Sequence, residues 1–261
     1  MADRAATPPR VAGLLLAAGA GRRFGGPKAL VELDGEPLVR RALRTLTDAG
    51  CAPVRVVVGA AADEVRKLVP DPVQAIHAEG WEGGMGASLK AGLAGLAAQF
   101  PENPGTNTGT TDLGTTESTT DRGDERGAAS EDSVSAAPAA AALTTPDTAD
   151  EADQADETAP VAVLVHLVDL PWVPAEALAR VVAQASPSAV VRAAYDGVPG
   201  HPVLFGRRWW GEVAESAQGD RGARDWLRGR GDVVLVECGD LGSGRDVDRP
   251  ADLGRTPKNE A

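Results

Sequence analysis

Residues 13–32 read GLLLAAGAGRRFGGPKALVE, and within them an apolar run passes directly into a loop rich in glycine and positive charge. The apolar run spans residues 11–18, which is the length of a buried β-strand and too short to cross a bilayer. The loop residues that carry the pattern are Gly19, Gly21, Arg22, Arg23, Gly25, Gly26 and Lys28. Glycine lets backbone N–H groups approach an anion closely, and arginine and lysine bind phosphate oxygens. The stretch therefore predicts a phosphate-binding site, and the alternative is a surface turn without a ligand.

The spacing of this loop differs from the two common phosphate-binding motifs. Ala29 follows Lys28 where a P-loop requires Ser or Thr, and the glycines are one residue too widely spaced for G-x-G-x-x-G. The stretch instead resembles the L-A-x-G-x-G-x-R-[MF]-G-x-x-K signature of the MobA-like NTP transferases, and most of all that of the molybdenum cofactor cytidylyltransferases. The matching residues are Leu16, Ala17, Ala18, Gly19, Gly21, Arg23, Phe24, Gly25 and Lys28.

The apolar pattern up to His77 alternates between the strand and the helix period. After the first strand we expect a helix beginning at Pro37, a strand at 54–58, a short helix at 63–69 and a strand at 73–76. A βαβαβ order predicts a parallel sheet with right-handed crossovers. The resemblance implies an α/β fold, namely a Rossmann-like three-layer α/β/α sandwich with a mostly parallel central sheet, of the nucleotide-diphospho-sugar transferase type.

One segment, residues 101–159, carries the excess negative charge. It holds 14 of the 38 acidic and 2 of the 26 basic residues, which equals the net charge of -12, and the rest of the chain holds 24 of each sign. Its polar composition, without aromatic residues or periodicity, predicts an acidic disordered insertion. We therefore expect one nucleotidyltransferase domain formed by residues 11–100 and 160–254, with a disordered N-terminus (1–10) and a flexible tail (255–261). For the insertion, a tolerated addition and a charged regulatory segment are the alternatives.

Cysteine content and hydropathy bound the cellular setting. Cys51 and Cys238 give neither a disulfide framework nor metal-site spacing, which is typical of the reducing cytosol. We expect no signal peptide, because residues 1–10 lack an apolar segment, and no transmembrane helix. The prediction is a cytoplasmic protein that acts on small molecules, without a nucleic-acid or membrane partner.

A second glycine-rich loop, residues 79–89, reads EGWEGGMGASL and precedes a predicted helix. The free N–H groups of a helix N-terminus and the Ser88 hydroxyl suit contacts to a ribose or a base. The alternative is a connection whose glycines only allow close packing. The segment resembles the family's second nucleotide loop, W-x-x-G-[MG]-x-x-S-L, which implies that Gly84, Gly86 and Ser88 bind the nucleotide.

Carboxylates in the second half of the chain indicate a metal site. Residues 161–168 predict a buried strand, and Asp169 follows at its carboxyl end, where parallel sheets bind ligands. A carboxylate that faces a phosphate loop calls for Mg²⁺ to join the two. The family motifs [VC]-D-x-P and D-[IV]-D-T-P-x-D-L imply Asp169 as one ligand and Asp246 or Asp248 as another, with Arg249 in place of the usual threonine. We expect Asp246 and Asp248 to point to opposite sides and Asp248 to complete the site; an exposed acidic turn is the alternative.

Two later segments resemble the acceptor side of the family's cleft. Residues 196–205 contain a G-x-x-G-H-P-[VA]-L element, in which His201 is expected on a tight, exposed turn that suits an acceptor phosphate. The alternative is a turn histidine that only faces solvent. Residues 219–224 resemble G-D-x-G-[AL]-R, which implies Asp220 and Arg224 as acceptor contacts. His166, inside a predicted strand, is expected to be a core residue.

These resemblances imply a Mg²⁺-dependent nucleotidyltransferase that moves a nucleoside monophosphate onto a phosphorylated acceptor and releases pyrophosphate. The implied catalytic residues are Arg23, Lys28 and Asp169. The implied nucleotide-binding residues are Leu16, Ala17, Ala18, Gly19, Gly21, Arg22, Arg23, Lys28, Gly84, Gly86 and Ser88. The family's guanylyl branch has glycine where this chain has Ala18, and a methyl group there would crowd the guanine amine, so CTP is favoured. Molybdopterin is the implied acceptor, and a molybdoenzyme or its chaperone the implied protein partner.

Two other functions fit the same residues. The acceptor could be a sugar phosphate or another small phosphorylated metabolite, with GTP or another NTP as donor. The chain could also be a catalytically silent module that binds a nucleotide or cofactor. The presence of Lys28, Asp169 and Asp248 together favours an enzyme over such a module.

Overall fold

The computed structural model describes residues 9–101 and 158–254, which belong to one compact unit. Its strands are β1 (Val11–Leu16), β2 (Glu32–Leu33), β3 (Glu36–Pro37), β4 (Val54–Val58), β5 (Gln74–His77), β6 (Ala162–Leu167), β7 (Val190–Tyr195), β8 (Val198–Gly206) and β9 (Val234–Glu237). Its α-helices are α1 (Leu38–Asp48), α2 (Ala62–Leu68), α3 (Met85–Gln99), α4 (Ala175–Val182), α5 (Trp210–Ser216) and α6 (Arg224–Arg228). The predicted acidic insertion lies outside the described residues, apart from its edges.

Seven of these strands form one sheet in the order β5-β4-β1-β6-β8-β7-β9. The pairs from β5 to β6 are parallel, the β6–β8 and β8–β7 pairs are antiparallel, and β7–β9 is parallel. The predicted βαβαβ unit and its parallel sheet are confirmed. The strands β2 and β3 form a separate small hairpin.

The central strands are mostly apolar, with Arg55 in β4 and His166 in β6 as exceptions, because helices cover both faces of the sheet. Every residue of β1 and β4 is buried, as a strand between two layers requires. On one face α1, α2 and α4 contribute to the core, and on the other face α3, α5 and α6 do so. The described residues thus form the expected three-layer α/β/α sandwich.

Helix α3 lies close to the sheet because it carries glycine where it crosses the strands. A Cβ atom on Gly92 would lie 2.7 Å from the Leu14 side chain and 2.9 Å from that of Val57. Near the start of the helix, a Cβ on Gly86 would lie 2.6 Å from the backbone nitrogen of Gln218. This close packing fixes the N-terminus of α3, and with it the second glycine-rich loop. Among the described residues, no helix has the length and apolarity needed to span a bilayer.

Candidate active site

The pairing of β1 with β6 brings the first glycine-rich loop next to Asp169. The two strands are parallel, with Leu16 opposite Leu167, so both chains leave the sheet at the same edge. The N–H of Val168 donates to the carbonyl of Leu16 beyond the last strand pair. The loop and the carboxylate therefore share the crevice in which open α/β sheets bind ligands.

Gly21 determines the shape of the loop. It has a φ of +59°, and its carbonyl accepts hydrogen bonds from the N–H groups of Phe24, Gly25 and Gly26. A Cβ atom on Gly21 would lie 1.8 Å from the carbonyl oxygen of Gly26. By contrast, a Cβ on Gly19 would meet no atom within 4 Å. The conformation of the loop thus requires glycine at position 21, whereas the space next to Gly19 is open.

Lys28 joins the loop to carboxylates from two distant parts of the chain. Its Nζ donates hydrogen bonds to Oδ2 of Asp169 at 2.8 Å and to Oδ1 of Asp248 at 2.9 Å. Burial alone would lower the pKa of Lys28, but the two carboxylates outweigh it and raise that pKa above its ordinary value. The hydrogen bond from Lys28 likewise lowers the pKa of Asp248. Arg23 is more remote, with NH1 3.9 Å from Asp248.

Asp246 joins Asp169 and Asp248 in one cluster of carboxylates. Each of the three can offer an oxygen, and these oxygens lie within 4.8 Å of one another. The expectation that Asp246 and Asp248 point to opposite sides is wrong. Residues two apart on an extended segment share a face, and the residue between them, Val247, is fully buried and donates its N–H to the Asp169 carbonyl. Both aspartates are therefore available to one ion.

The first glycine-rich loop, the second glycine-rich loop, Asp169 and Asp248 line a cleft of about 540 Å³, a size typical of small-molecule sites. The predicted nucleotide-binding residues that line it are Leu16, Ala18, Gly19, Gly21, Arg22, Arg23, Lys28, Gly84 and Ser88, joined by Asp169, Asp220 and Asp248. Two predicted nucleotide-binding residues, Ala17 and Gly86, are not among those that line it, nor are Asp246, His201 and Arg224. Ala17 is buried in the core, and Gly86 packs against Gln218.

Two large side chains of the cleft, Trp81 and Met85, were missed as site residues. Trp81 packs so closely on Gly59 that a Cβ atom there would lie 2.5 Å from the indole. Their signal in the sequence was the second glycine-rich loop itself, since both lie within it. They give the cleft an apolar wall that fits the flat face of a base.

His201 does not lie on an exposed turn. Asp196 and Gly197, both with positive φ, form the turn, so β8 begins at Val198 and His201 is a partly buried strand residue. Burial lowers its pKa to about 4, a hydrogen bond with the Val165 backbone opposes this, and the charge of Arg192 lowers it further. The ring is therefore uncharged near neutral pH, so His201 is poorly suited to bind a phosphate through positive charge.

His166 is a buried core residue, as expected, and burial lowers its pKa to about 3.

Two arginines lie close enough to His201 to affect its ring. Arg192 on β7 and Arg224 at the start of α6 both act electrostatically on His201, as does Asp169. Burial and the nearby Arg224 lower the pKa of Arg192, and its buried Nε has no hydrogen-bond partner among the described residues. Asp220 lies beside the second glycine-rich loop: a Cβ atom added to Gly84 would be only 2.4 Å from its Oδ1. Neither Arg192 nor Arg224 is among the described residues that line the cleft, and Arg192, a lone arginine in a strand, carries no sequence motif.

Comparison with known proteins places these features in a family. The family described as the MobA-like NTP transferase domain matches residues 13–234. Nicotine blue oxidoreductase of Paenarthrobacter nicotinovorans is 29% identical over 250 residues, which is 92% of this chain and 93% of that protein.

Several solved structures share the fold at low sequence identity. Rv0371c of Mycobacterium tuberculosis H37Rv aligns with a TM-score of 0.62 and 22% identity, covering 95% of this chain and 98% of that one. Its manganese complex aligns with a TM-score of 0.56 and 18% identity, covering 88% and 89%. A nucleotidyl transferase from Methanothermobacter aligns with a TM-score of 0.58 and 17% identity, covering 93% and 94%. The fold is of the nucleotide-diphospho-sugar transferase type. The match over residues 13–234 shows that the chain belongs to the MobA-like NTP transferase family and is a nucleotidyltransferase of that type.

Proposed function

We propose that the protein transfers CMP from CTP to a phosphorylated acceptor, with molybdopterin as the favoured acceptor, and releases pyrophosphate. The observation that carries the proposal is the convergence of Lys28, Asp169 and Asp248 at the open face of a glycine-rich loop. A cation, a phosphate-binding loop and metal-binding carboxylates are the parts that such a transfer needs. We further propose that residues 11–100 and 160–254 form its single domain and that it works in the cytosol.

The carboxylate cluster fits a divalent ion bound through oxygen. Asp169, Asp246 and Asp248 present hard ligands within 4.8 Å of one another, the donor set that Mg²⁺ and Mn²⁺ prefer. The manganese complex of the structurally similar Rv0371c supports a divalent ion in this fold. We propose Mg²⁺ as the ion of this protein. When bound, this ion would neutralise part of the negative charge on the triphosphate.

The residues of the chain supply position and charge. A phosphate oxygen of the acceptor attacks the α-phosphorus in line, a new P–O bond forms, and the bond to the β-phosphate breaks so that pyrophosphate leaves. A phosphate nucleophile is already ionised near neutral pH, so no side chain has to remove a proton. Arg23 and Lys28 stabilise the charge on the triphosphate and on the leaving pyrophosphate. The loop around Gly21 holds the phosphates in line.

The apolar side of the cleft is the proposed base site. Trp81 and Met85 provide surface for stacking, and Ser88 provides a hydroxyl. The methyl group of Ala18 lines the same cleft, where it would favour cytosine over guanine. On the acceptor side, Arg192 and Arg224 are the proposed contacts for an anionic group, with Asp220 facing the cleft.

A panel assay tests the proposal. The protein is incubated with Mg²⁺, each of CTP, GTP, ATP and UTP, and either molybdopterin or a set of sugar phosphates, and released pyrophosphate and products are measured. We expect CTP with molybdopterin to give the fastest release and CTP to give the largest rise in melting temperature. Turnover with a sugar phosphate alone would favour the alternative acceptor. Nucleotide binding without pyrophosphate from any pair would favour the silent binding module.

A second candidate is an oxidoreductase activity. It is favoured by the similarity to nicotine blue oxidoreductase over 92% of this chain, since a glycine-rich loop can also hold the pyrophosphate of a dinucleotide. Oxidation of NADH or NADPH with a reducible aromatic acceptor can be followed by absorbance. Oxidation that depends on Gly21 and occurs without pyrophosphate release would favour this candidate.

A further inference from the structure

The ammonium group of Lys28 lies between two of the carboxylates that would hold a metal ion. Its hydrogen bonds to Asp169 and Asp248 measure 2.8 and 2.9 Å. Each of Asp169, Asp246 and Asp248 can offer one oxygen that lies within 4.8 Å of the other two, so the three carboxylates could bind one ion. The ammonium and a bound ion would therefore compete for the carboxylates of Asp169 and Asp248.

The structure holds Lys28 in this place. Its backbone begins a 3₁₀-helix, Lys28–Leu30, whose next residue, Ala29, is buried in the core. The Lys28 side chain is only 15% exposed, whereas that of Arg23 is 84% exposed and reaches Asp248 only at 3.9 Å. An exposed pair at that distance contributes little. Lys28 is thus hydrogen-bonded to both Asp169 and Asp248, whereas Arg23 only lies near Asp248.

A bound nucleotide changes this balance. Lys28, Gly19 and Gly21 line the same cleft, so phosphates held by the loop offer the ammonium a second anionic partner. When its hydrogen bonds pass to a phosphate, carboxylate oxygens become available, and the phosphates add further oxygen ligands.

We infer that Lys28 competes with a free divalent ion for Asp169 and Asp248, so that the ion binds weakly until a nucleotide draws the ammonium away from these carboxylates. The inference rests on the proposed nucleotidyltransferase function and gives Lys28 a second role, that of excluding the free ion.

Binding of Mn²⁺ alone, measured by electron paramagnetic resonance without nucleotide, tests the inference. We expect wild-type protein to bind Mn²⁺ weakly and Lys28→Met to bind it at least tenfold more tightly. Arg23→Met removes one positive charge from the same cleft without removing those hydrogen bonds, and it should change the affinity less than threefold. Adding Asp169→Asn to Lys28→Met should abolish the gain. Circular dichroism checks folding, and Lys28→Gln replaces Lys28→Met should the latter not fold.

The possible failures are distinguishable. Unchanged affinity in Lys28→Met, or an equal gain in Lys28→Met and Arg23→Met, would overturn the inference and leave the proposed function intact. Absence of Mn²⁺ binding in every variant, together with pyrophosphate release that needs no metal, would overturn the metal site on which both depend.

Discussion

Asp169 contacts two distant parts of the chain, one through its side chain and one through its backbone. It follows β6, its Oδ2 accepts a hydrogen bond from Lys28, and its backbone carbonyl accepts the N–H of Val247. The backbone therefore holds the C-terminal segment in place, while the side chain faces the cleft. A substitution can therefore remove the charge of the Asp169 side chain and leave the backbone hydrogen bond to Val247 in place.

The variant Asp169→Asn should accordingly lose activity and keep its fold. We expect pyrophosphate release to fall by about 100-fold or more, because this carboxylate would hold the divalent ion that stabilises the negative charge of the transition state. The melting temperature should change by only a few degrees. Asp63→Asn, at an exposed pair with Arg66, is the matched control and should keep full activity. Near-normal turnover of Asp169→Asn would contradict the metal-ligand assignment.

Gly21 and Gly19 offer a paired test of the loop. Gly21→Ala places a Cβ against the Gly26 carbonyl at positive φ, and we expect a loss of about 1–3 kcal/mol in the free energy of unfolding. Gly19→Ala meets no protein atom, so stability in urea should be unchanged while nucleotide affinity falls because the methyl group fills the space for phosphate. If Gly19→Ala bound nucleotide normally, the phosphates would have to lie elsewhere.

Residues that are neighbours in sequence could be recognised from local motifs, whereas residues brought together by strand pairing could not. The loop from Leu16 to Lys28 was recognisable because its glycines and cations are neighbours in sequence. Arg192 lies near His201 only because β7 lies beside β8 in the sheet, which no local pattern reveals. The case of Asp246 differs, since the period of two already indicated that it shares a face with Asp248.

Among the elements, the β7–β8 hairpin shows how a two-residue turn motif determines where a strand begins. Asp196-Gly197 between two apolar runs is a typical two-residue hairpin turn, and both residues have positive φ. The turn therefore ends before Val198, and His201 lies four residues into β8. Glu237 stabilises this turn by accepting hydrogen bonds from the N–H groups of Asp196 and Gly197. This signal was present in the sequence. The prediction nevertheless extended the turn to His201, because glycine and proline flank that residue.

Helix α3 supports a prediction that runs against helix propensity. Replacing glycine by alanine inside a helix normally stabilises it by about 1 kcal/mol. Gly92→Ala should instead destabilise the protein by roughly 1–3 kcal/mol, because its methyl group would press on Leu14 and Val57. Ala94→Gly at an exposed position of the same helix reports propensity alone and should cost about 1 kcal/mol. Chemical denaturation measures both; a stabilised Gly92→Ala would mean that the helix can move off the sheet.

For the whole molecule, the buried His166 and the partly buried His201 predict loss of stability in acid. The folded pKa values, about 3 for His166 and about 4 for His201, lie below the ordinary value near 6.5. Between about pH 6.5 and 4 the unfolded chain binds more protons than the folded one, so stability is complete above this window and falls as the pH decreases through it. The slope should approach roughly 1 kcal/mol per pH unit for each histidine.

Thermal melts across this pH range measure the effect. His166→Leu should reduce the slope, since its buried site no longer takes up a proton on unfolding. Because the Glu237 and Asp248 carboxylates have lowered pKa values, their contribution is lost only at the acidic end of the range. An unchanged slope in His166→Leu would show that another group causes the acid sensitivity.

The acidic segment provides a second prediction for the whole molecule. Residues 9–101 and 158–254 belong to one compact unit, so replacing residues 102–157 by a short Gly/Ser linker should leave the melting temperature and pyrophosphate release near wild-type values. The net charge should rise to zero, because all of the excess acidity lies there. A protein that failed to fold, or that lost activity while folded, would favour a structural or regulatory role for the segment.

The distance in sequence between Lys28 and Asp248, 220 positions, has a consequence during synthesis. A ribosome translates the loop and every strand and α-helix of the described residues before it reaches the last two carboxylates. A polypeptide that ended between residues 238 and 245 would carry these elements but only one of the three proposed acidic ligands. With the ligands assigned as proposed, such truncated products would not consume nucleotide, and only a chain that extends past residue 248 would be a competent catalyst.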